Sequence, residues 1–259
     1  MSEYIHGETD PHETARLEHM AAFCAHFLLC DFNLRPGQYV LDLASGVGAM
    51  TEQLVNCYPG IHLFAVDIQM QSLRLAQENH PIAAYVQADG TYLPFSDKTF
   101  DFVHCSWLLE HVHSPLSILR EVYRVLKAGG QCQFTEVDNS SLRTIPEYSE
   151  IVAVMSALCN IQVDGGGDPY IGCRLGQLLQ EVGFSNVTSY PLSLRGDKED
   201  KFVFEGLTEV FANIFESVEQ TLGPGMALQV RTAATMLRQL HSVNGGAIFY
   251  SPVIGRGTR

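Results

Sequence analysis

The stretch Val40–Met50, VLDLASGVGAM, decides the fold because it joins an apolar strand to a glycine-bearing turn and then to a helix. Gly46 and Gly48 accept backbone angles that other residues avoid, and without side chains they let a ligand approach the main chain closely. A helix that begins near Val47 points its free N–H groups into the same crevice. The stretch therefore predicts a cofactor-binding turn.

The residues that follow this turn restrict the kind of cofactor. A dinucleotide-binding fingerprint needs a third glycine at position 51, where this chain has Thr51. This departure argues against the binding of a pyrophosphate. It does not exclude a nucleotide-dependent oxidoreductase. The second apolar run, His62–Asp67, ends in an acid at the distance where such folds hold a ribose. The Asp67 carboxylate can accept two hydrogen bonds from a cis-diol. Asp89, after the third apolar run, is a candidate acceptor for an adenine amino group.

Strands and helices alternate through the first half of the chain, which predicts a parallel sheet with helices on both faces. A ligand of such a sheet binds at the carboxyl ends of the strands, where the acids fall. The predicted strands are Tyr39–Leu43, His62–Asp67, Ala84–Ala88, Phe100–Ser106 and Gln131–Val137, and the predicted helices are Gly48–Tyr58, Gln69–Asn79 and Pro115–Leu126.

The flanking regions predict additional elements around this core. They are a leading helix over 13–32, helices over Ile145–Asn160 and Arg174–Val182, a strand over Asn186–Leu194, two amphipathic helices within 201–243 and a terminal strand over Ala247–Val253. The length suits one domain. We expect it to consist of an N-terminal lid or helix (1–34), a core sheet (35–195), a helical cover (196–246) and a last strand with its tail (247–259).

Composition excludes several classes of function. With 16 basic and 29 acidic side chains, the net charge of −13 repels nucleic acid. No apolar run approaches the length of a membrane span, and the N-terminal residues lack the basic region and apolar core of a secretory signal, so a cytoplasmic protein without membrane insertion is expected. The seven cysteines show no C-x-x-C spacing, and no metal site is predicted.

Several motifs occur in the order typical of one family. They are Asp42-x-Ala44-x-Gly46-x-Gly48, Asp67 after the second strand, Ala88-Asp89-Gly90 after the third, LPFSDKTFDFVHCSWLLEHV from Leu93 to Val112 and EVYRVLKAGGQCQF from Glu121 to Phe134. Together they resemble class I S-adenosylmethionine-dependent methyltransferases. More narrowly, the chain is similar to the branch with ubiquinone and menaquinone C-methyltransferases and many small-molecule methyltransferases. Ala44 and Ser45 depart from the family's usual glycine and cysteine or glycine.

The resemblance implies both a fold and an activity. The fold would be a Rossmann-like, doubly wound α/β sheet of seven strands with an antiparallel last strand, an N-terminal helix or lid and a helical insertion before that strand. The activity would be methyl transfer from S-adenosylmethionine to a small organic acceptor, leaving S-adenosylhomocysteine. The residues expected to contact the cofactor are Asp42, Ala44, Ser45, Gly46, Gly48, Asp67, Ile68, Ala88, Asp89, Gly90, Ser106 and Trp107.

Methyl transfer from a sulfonium needs positioning and exclusion of water more than a catalytic triad. His111 follows the fourth strand, where it could take a proton from the acceptor, or instead pack beside the cofactor or cap a helix. The resemblance adds an N-terminal lid and a YIGCR segment as further walls of the acceptor site. The residues expected on the acceptor side are Tyr4, His6, Arg16, His111, Tyr170 and Arg174.

Two other functions stay open at this point. The same fold could methylate a quinone or another lipid-like ring carbon, although the strongly basic amphipathic helix that would support membrane-surface contact is not evident. The chain could also be a catalytically inactive scaffold that still binds S-adenosylmethionine. The sequence leaves open the acceptor, the methylated atom and whether the protein is a monomer or a homodimer.

Overall fold

The elements are given for residues 11–29 and 31–259, which are those that the computed structural model describes. Within them the strands are β1 (Tyr39–Leu43), β2 (His62–Asp67), β3 (Ala84–Gln87), β4 (Phe100–Ser106), β5 (Leu126–Glu136), β6 (Arg143–Ile145), β7 (Ser185–Pro191), β8 (Leu194–Gly196), β9 (Ala247–Tyr250) and β10 (Val253–Thr258). The helices are α1 (Pro11–Leu28), α2 (Ala49–Cys57), α3 (Met70–Asn79), α4 (Pro115–Val125), α5 (Ser149–Asp164), α6 (Leu175–Val182), α7 (Lys201–Ser217), α8 (Glu219–Leu222) and α9 (Ala227–Gln239).

The main sheet has seven strands in the order β3-β2-β1-β4-β5-β10-β7. The first five are parallel, and β10 lies antiparallel between β5 and β7. This arrangement confirms the predicted Rossmann-like sheet with its antiparallel strand. Because β2 and β4 pair on opposite sides of β1, the chain leaves β1 and β4 towards opposite faces and opens a crevice between them.

The central strands are apolar on both faces because helices cover both sides of the sheet. Val40 and Leu41, which are neighbours on β1, are both 0% exposed although they point to opposite faces. Leu41 belongs to the core under α4 and α6, and Val40 belongs to the core under α1 and α2. The α4 sequence places its buried residues on one stripe, as expected for a helix with one face on a sheet.

A second layer lies above the carboxyl edge of the main sheet. There α5, α7 and α9 share one hydrophobic core with the small antiparallel sheet β6-β9-β8. The predicted helical insertion before the last strand is therefore present, as α7 to α9. None of the helices described is both long enough and apolar enough to span a bilayer.

The C-terminal strand assignment was wrong in detail. The predicted strand Ala247–Val253 is two strands in different sheets, β9 and β10, and the predicted strand Asn186–Leu194 is likewise divided between β7 and β8. Pro191 and Pro252 lie at these two divisions. Because proline has no N–H group, it cannot donate the next hydrogen bond of a β-ladder, and the strand ends or changes sheet there. The sequence of β10 is not typical of a strand because it contains Gly255. The structure needs a glycine there, since a Cβ at this position would lie 2.5 Å from Leu175 of α6.

The helix predicted over Ile145–Asn160 also differs. It begins at Ser149 and continues to Asp164, and the preceding residues Arg143–Ile145 form β6 against β9. Pro146 separates the two elements, and a residue before proline is held in extended backbone, which favours a strand there. The result is that α5 reaches one turn further towards the sheet edge than predicted.

Candidate active site

A cavity of about 830 Å³ opens at the carboxyl ends of β1 to β4. Its floor is made by the residues that follow these strands, and α1, α5 and α7 close it from above. The sequence-predicted residues that line it are Asp42, Ala44, Ser45, Gly46, Asp67, Ile68, Ala88, Asp89, Gly90, Ser106, Trp107, Arg16 and His111.

The turn after β1 needs left-handed backbone at alternate residues. Ala44, Gly46 and Gly48 have φ angles of 60°, 52° and 82°. A Cβ on Gly46 would meet nothing within 4 Å, so this glycine is required by its conformation and leaves its cavity side open. Gly48 does not line the cavity, and a Cβ there would lie 3.0 Å from Ala76 Cβ on α3. Its role in the structure is close packing of α2 on α3.

Asp67, at the end of β2, holds this turn in place. Its Oδ2 accepts the Gly46 N–H at 2.8 Å and its Oδ1 accepts the Gln69 N–H at 2.8 Å. Burial raises the pKa of Asp67, while the bonds from Gln69 and Gly46 work in the opposite direction. Because each carboxylate oxygen can accept more than one bond, both keep a lone pair for a ligand diol.

Asp89 lies at the far end of the cavity, after β3. Its Oδ1 accepts both the backbone N–H and the hydroxyl of Thr91, each at 2.8 Å. These two bonds are typical of an aspartate that stabilises a turn. Its Oδ2 accepts no hydrogen bond from the residues described, so the carboxylate can serve the turn and a ligand together.

The Asp42 carboxylate is 2% exposed and belongs to a chain of side chains that crosses from β1 to β4. Its Oδ2 accepts the Thr51 hydroxyl at 2.6 Å, and its Oδ1 lies 3.0 Å from His104 Nδ1. His104 Nε2 in turn lies 3.2 Å from Ser106 Oγ. The glycine turn is therefore held by Asp67 and not by Asp42.

Sequence reasoning missed His104. It is 0% exposed and lines the cavity, beside Asp42 in the strand register. The available signal was the imidazole of His104 within the otherwise apolar run Phe102–Cys105 of β4, two residues before Ser106. A fully buried histidine needs hydrogen-bond partners, which points to a polar neighbour on the next strand.

The opposite end of the cavity carries a second polar chain. Gln162 of α5 donates from Nε2 to Glu110 Oε2 at 2.5 Å, and its Oε1 accepts from Asn139 Nδ2 at 3.2 Å. The Tyr250 hydroxyl donates to Asn139 Oδ1 at 3.5 Å. All these donors point towards Glu110, and such aligned bonds strengthen one another. The chain ends on a carboxyl group that is 6% exposed.

Glu110 and His111 share a 3₁₀ turn, Leu109–His111, which Glu136 fixes from below. Glu136 Oε1 accepts the N–H groups of Leu108 and Leu109 at 3.1 and 2.7 Å, and its Oε2 has no hydrogen-bond partner within the described chain. Burial raises the pKa of Glu136 well above its ordinary value, and the nearby Glu110 adds to this effect.

His111 and Arg16 face Glu110 from two elements. His111 Nε2 lies 3.6 Å from Glu110 Oε1, and Arg16 of α1 is 8% exposed. Burial raises the pKa of Glu110, and the positive fields of His111 and Arg16, with the bond from Gln162, oppose the rise. Arg16 is not a solvated surface arginine, because its side chain is buried against the cavity.

The structure does not bring every predicted residue to this cavity. Tyr170 is 43% exposed, Arg174 pairs with Asp168 at 2.6 Å on the surface, and neither lines the cavity. Tyr4 and His6 lie outside the described residues. The remaining wall is apolar and comes from the covering helices and β8: Leu17, Met20, Phe23, Met155, Leu158, Leu194, Leu207, Val210, Phe211 and Ile214.

The floor of the cavity fits an adenosine cofactor with a cationic sulfur. Three carboxylates line it, and the Ser45 hydroxyl is buried with no hydrogen-bond partner in the described residues. An acidic floor favours a cation, and an open glycine with an unpartnered hydroxyl leaves room for a ligand against the main chain. No cluster of three or more potential metal-ligating side chains occurs in the described part of the chain.

Comparison with known proteins agrees with this geometry. A family model described as a methyltransferase domain matches residues 41–134. A demethylmenaquinone methyltransferase of Streptomyces griseus is 31% identical over 167 residues, which are 59% of this chain and 71% of the relative. The protein of the same name from Streptomyces avermitilis is 37% identical over 119 residues, which are 45% of this chain and 50% of the relative.

Solved structures show the same fold. Phosphoethanolamine N-methyltransferase 2 of Haemonchus contortus, in complex with S-adenosyl-L-methionine, has a TM-score of 0.59 and 14% identity, covering 94% of this chain and 56% of that one. Because the chain is 31% identical to the Streptomyces griseus protein over more than two thirds of that protein's length, it belongs to the class I S-adenosylmethionine-dependent methyltransferases.

Proposed function

We propose that the chain transfers a methyl group from S-adenosylmethionine to a small organic acceptor held between its sheet edge and the helices α1, α5 and α7. The observation that carries the proposal is that Asp67, with the glycine turn it holds, and the Glu110–His111 pair line one cavity. Asp67 is suited to bind a ribose, and the Glu110–His111 pair is suited to a protic acceptor. Cofactor and acceptor would therefore meet inside this cavity.

The cofactor would lie along the floor. Asp67 would accept from its ribose hydroxyls, Asp89 from its adenine amino group, and Asp42 with Ser106 would face its amino-acid half, since β3, β2, β1 and β4 follow one another in the sheet. The bound cofactor supplies a methyl group that its sulfonium has already activated. The chain itself has to orient the acceptor and keep water away.

The covering helices would exclude water with their apolar side chains. On the acceptor side, His111 would take the proton that leaves the acceptor, and Glu110, 3.6 Å away, would stabilise the imidazolium that results. Arg16 would keep Glu110 from becoming an isolated buried charge. These roles need no covalent intermediate on the chain.

The apolar wall favours a second, narrower candidate, an acceptor with a quinone-like or other lipid-like ring. The residues above the floor come almost entirely from apolar faces of α1, α5 and α7. The curated relatives carry the name demethylmenaquinone methyltransferase, which supports an acceptor of this kind. An acceptor with a small, fully polar body would leave this wall in contact with water.

The test is an acceptor screen with the purified chain and S-adenosylmethionine, in which formation of S-adenosylhomocysteine is measured for apolar ring phenols and for polar amines and acids. For the best acceptor, His111→Ala should lower kcat by about 10²-fold while cofactor affinity stays the same, because only the proton transfer is lost. Wild-type kcat in the variant would reduce His111 to a packing residue.

A further inference from the structure

The side-chain amide of Gln162 joins the last turn of α5 to the turn that carries Glu110. Gln162 lines the cavity and is 6% exposed, and its Nε2 donates to Glu110 Oε2 at 2.5 Å. The backbone of the following loop binds both residues, because Gly167 N donates to Gln162 O at 2.8 Å. Asp168 N donates to Glu110 O at 2.9 Å. The amide and the carboxylate are therefore held next to each other by main chain on both sides.

Asn139 and Tyr250 decide which way this amide faces. Gln162 Oε1 accepts from Asn139 Nδ2 at 3.2 Å, and Asn139 Oδ1 accepts from the Tyr250 hydroxyl at 3.5 Å. An amide carries its oxygen and its NH₂ group on opposite sides, so an oxygen held by Asn139 leaves the nitrogen towards Glu110. A reversed amide would bring two oxygens into contact, which only a protonated Glu110 could bridge. The direction of the chain thus fits a charged Glu110.

We propose that Gln162 is a positioning residue, which holds Glu110 in its charged form beside His111. Asn139 and Tyr250 act through it, because they fix the direction of its amide. The proposal rests on the proposed function, in which His111 takes the proton that leaves the acceptor. The imidazolium that results is stabilised only when Glu110 is a carboxylate, and a donor bound to the carboxylate favours that state.

The surroundings of Glu110 make this bond important. The ionisable side chains that face it are Arg16 of α1, His111 of the same turn, Glu136 of β5, Cys159 of α5 and Tyr250 of β9. The first two favour the carboxylate, whereas burial raises the pKa of Glu110 and of the last three groups. The Asp168 carboxylate in the loop is paired with Arg174 at 2.6 Å. The bond from Gln162 opposes the effect of burial on Glu110 without adding a charge.

Loss of this bond has a definite effect on the pH dependence of turnover. Because the bond stabilises the carboxylate, its removal raises the pKa of Glu110, and the Glu110–His111 pair keeps a proton to higher pH. The acid limb of the kcat profile, where activity appears as the pair loses its proton, therefore moves to higher pH. A residue that only supports the structure would lower kcat at every pH and leave the limb in place.

The experiment measures kcat against pH with the best acceptor of the screen. Gln162→Met keeps the length of the side chain and removes both of its bonds, and Asn139→Leu leaves Gln162 in place but frees its amide to turn. Thr208→Val is the matched control. Thr208 is a buried polar residue of the covering helix α7, and its hydroxyl donates within that helix, to Phe204 O at 2.8 Å.

We expect Gln162→Met to move the acid limb upward by about one pH unit, as for a lost bond to a charged group, and Asn139→Leu to move it less in the same direction. Affinity for S-adenosylhomocysteine should stay within about three-fold of wild type, and Thr208→Val should leave the limb in place. A limb that stays in place in both Gln162→Met and Asn139→Leu would overturn the proposal. If Gln162→Met does not fold, Asn139→Leu alone decides.

A second measurement separates this proposal from the proposed function. Infrared difference spectra follow the C=O stretch of protonated Glu110 as the pH rises, with Glu110→Gln to identify the band, and they need no acceptor. A band that persists to higher pH in Gln162→Met supports positioning by Gln162. The same shift in a chain that methylates none of the acceptors would overturn the proposed function while supporting this contact. A band that titrates as in wild type would overturn the contact's role.

Discussion

Each carboxylate oxygen of Asp67 accepts a backbone N–H, one from Gly46 in the cofactor turn and one from Gln69 before α3. The sequence predicted the acid and its ribose role from its place after β2. It could not show that the same carboxylate holds the turn, because this depends on where the chain brings Gly46, 21 residues away. His104 shows the same limit, since its partner Asp42 is 62 residues distant.

Asp67→Ala should therefore have two effects. Loss of the diol acceptor should weaken S-adenosylhomocysteine binding by about 10²-fold or more, and loss of the acceptor for two backbone N–H groups should lower the free energy of unfolding by roughly 1–3 kcal/mol. Calorimetry measures the first and urea denaturation the second. Unchanged binding in a folded variant would remove Asp67 from the site.

Glu136→Gln should change how stability depends on pH. The folded chain holds the pKa of Glu136 well above its ordinary value of 4.5, mainly through burial, so wild-type Glu136 favours folding below that pH and loses this contribution as pH rises towards the raised value. Gln keeps the oxygen that accepts from Leu108 and Leu109 and cannot ionise.

The variant should therefore gain stability relative to wild type as pH increases from 4.5 to 8, whereas below about pH 4 the two should differ least. Urea unfolding at a series of pH values measures the difference. A difference that does not vary with pH would show that Glu136 ionises as readily in the folded chain as in the unfolded one.

The 3₁₀ turn Leu109–His111 is held from several sides, which is why its two polar side chains can face the cavity at fixed positions. Glu136 binds its first N–H groups, and the loop after α5 closes over it through the bond from Asp168 N to Glu110 O at 2.9 Å. The three consecutive glycines at 165–167 are typical of a loop, but the sequence does not reveal that Gly167 has to pack closely on this turn.

Gly167→Ala should disturb that packing. A Cβ on Gly167 would lie 2.2 Å from the Glu110 carbonyl oxygen, and since this neighbour is backbone, the loop or the turn must move. Overpacking of this kind costs about 1–3 kcal/mol of stability, and turnover should fall while S-adenosylhomocysteine affinity is retained. Gly225→Ala, where a Cβ meets nothing within 4 Å, is the control. Equal stability of the two variants would contradict the packing account.

The overall fold follows from the alternation of strands and helices along the chain and from the prolines that interrupt it. The parallel strands could be predicted from apolar runs ending in acids, and the reversed strand from the family resemblance. The division of the C-terminal segments between two sheets could not, because it depends on Pro191 and Pro252 at a crossing point where Leu192 N donates to Pro252 O at 2.7 Å. The cavity itself forms only when α1, α5 and α7 meet over the sheet edge.

Thr51 shows why this floor suits a sulfonium cofactor better than a dinucleotide. It occupies the position of the third glycine in the dinucleotide fingerprint, is 0% exposed and donates to Asp42, so its side chain fills the space behind the turn. Asp42, Asp67 and Asp89 together give the cavity a floor of carboxylates, which would repel a pyrophosphate and attract a cation.

Titration calorimetry with S-adenosylmethionine and S-adenosylhomocysteine, with NAD⁺ as the control ligand, tests this account most directly. We predict one site per chain with a dissociation constant on the order of micromolar for both sulfur ligands, about −8 kcal/mol of binding free energy, and no measurable heat from NAD⁺. Binding of NAD⁺ without binding of either sulfur ligand would contradict it.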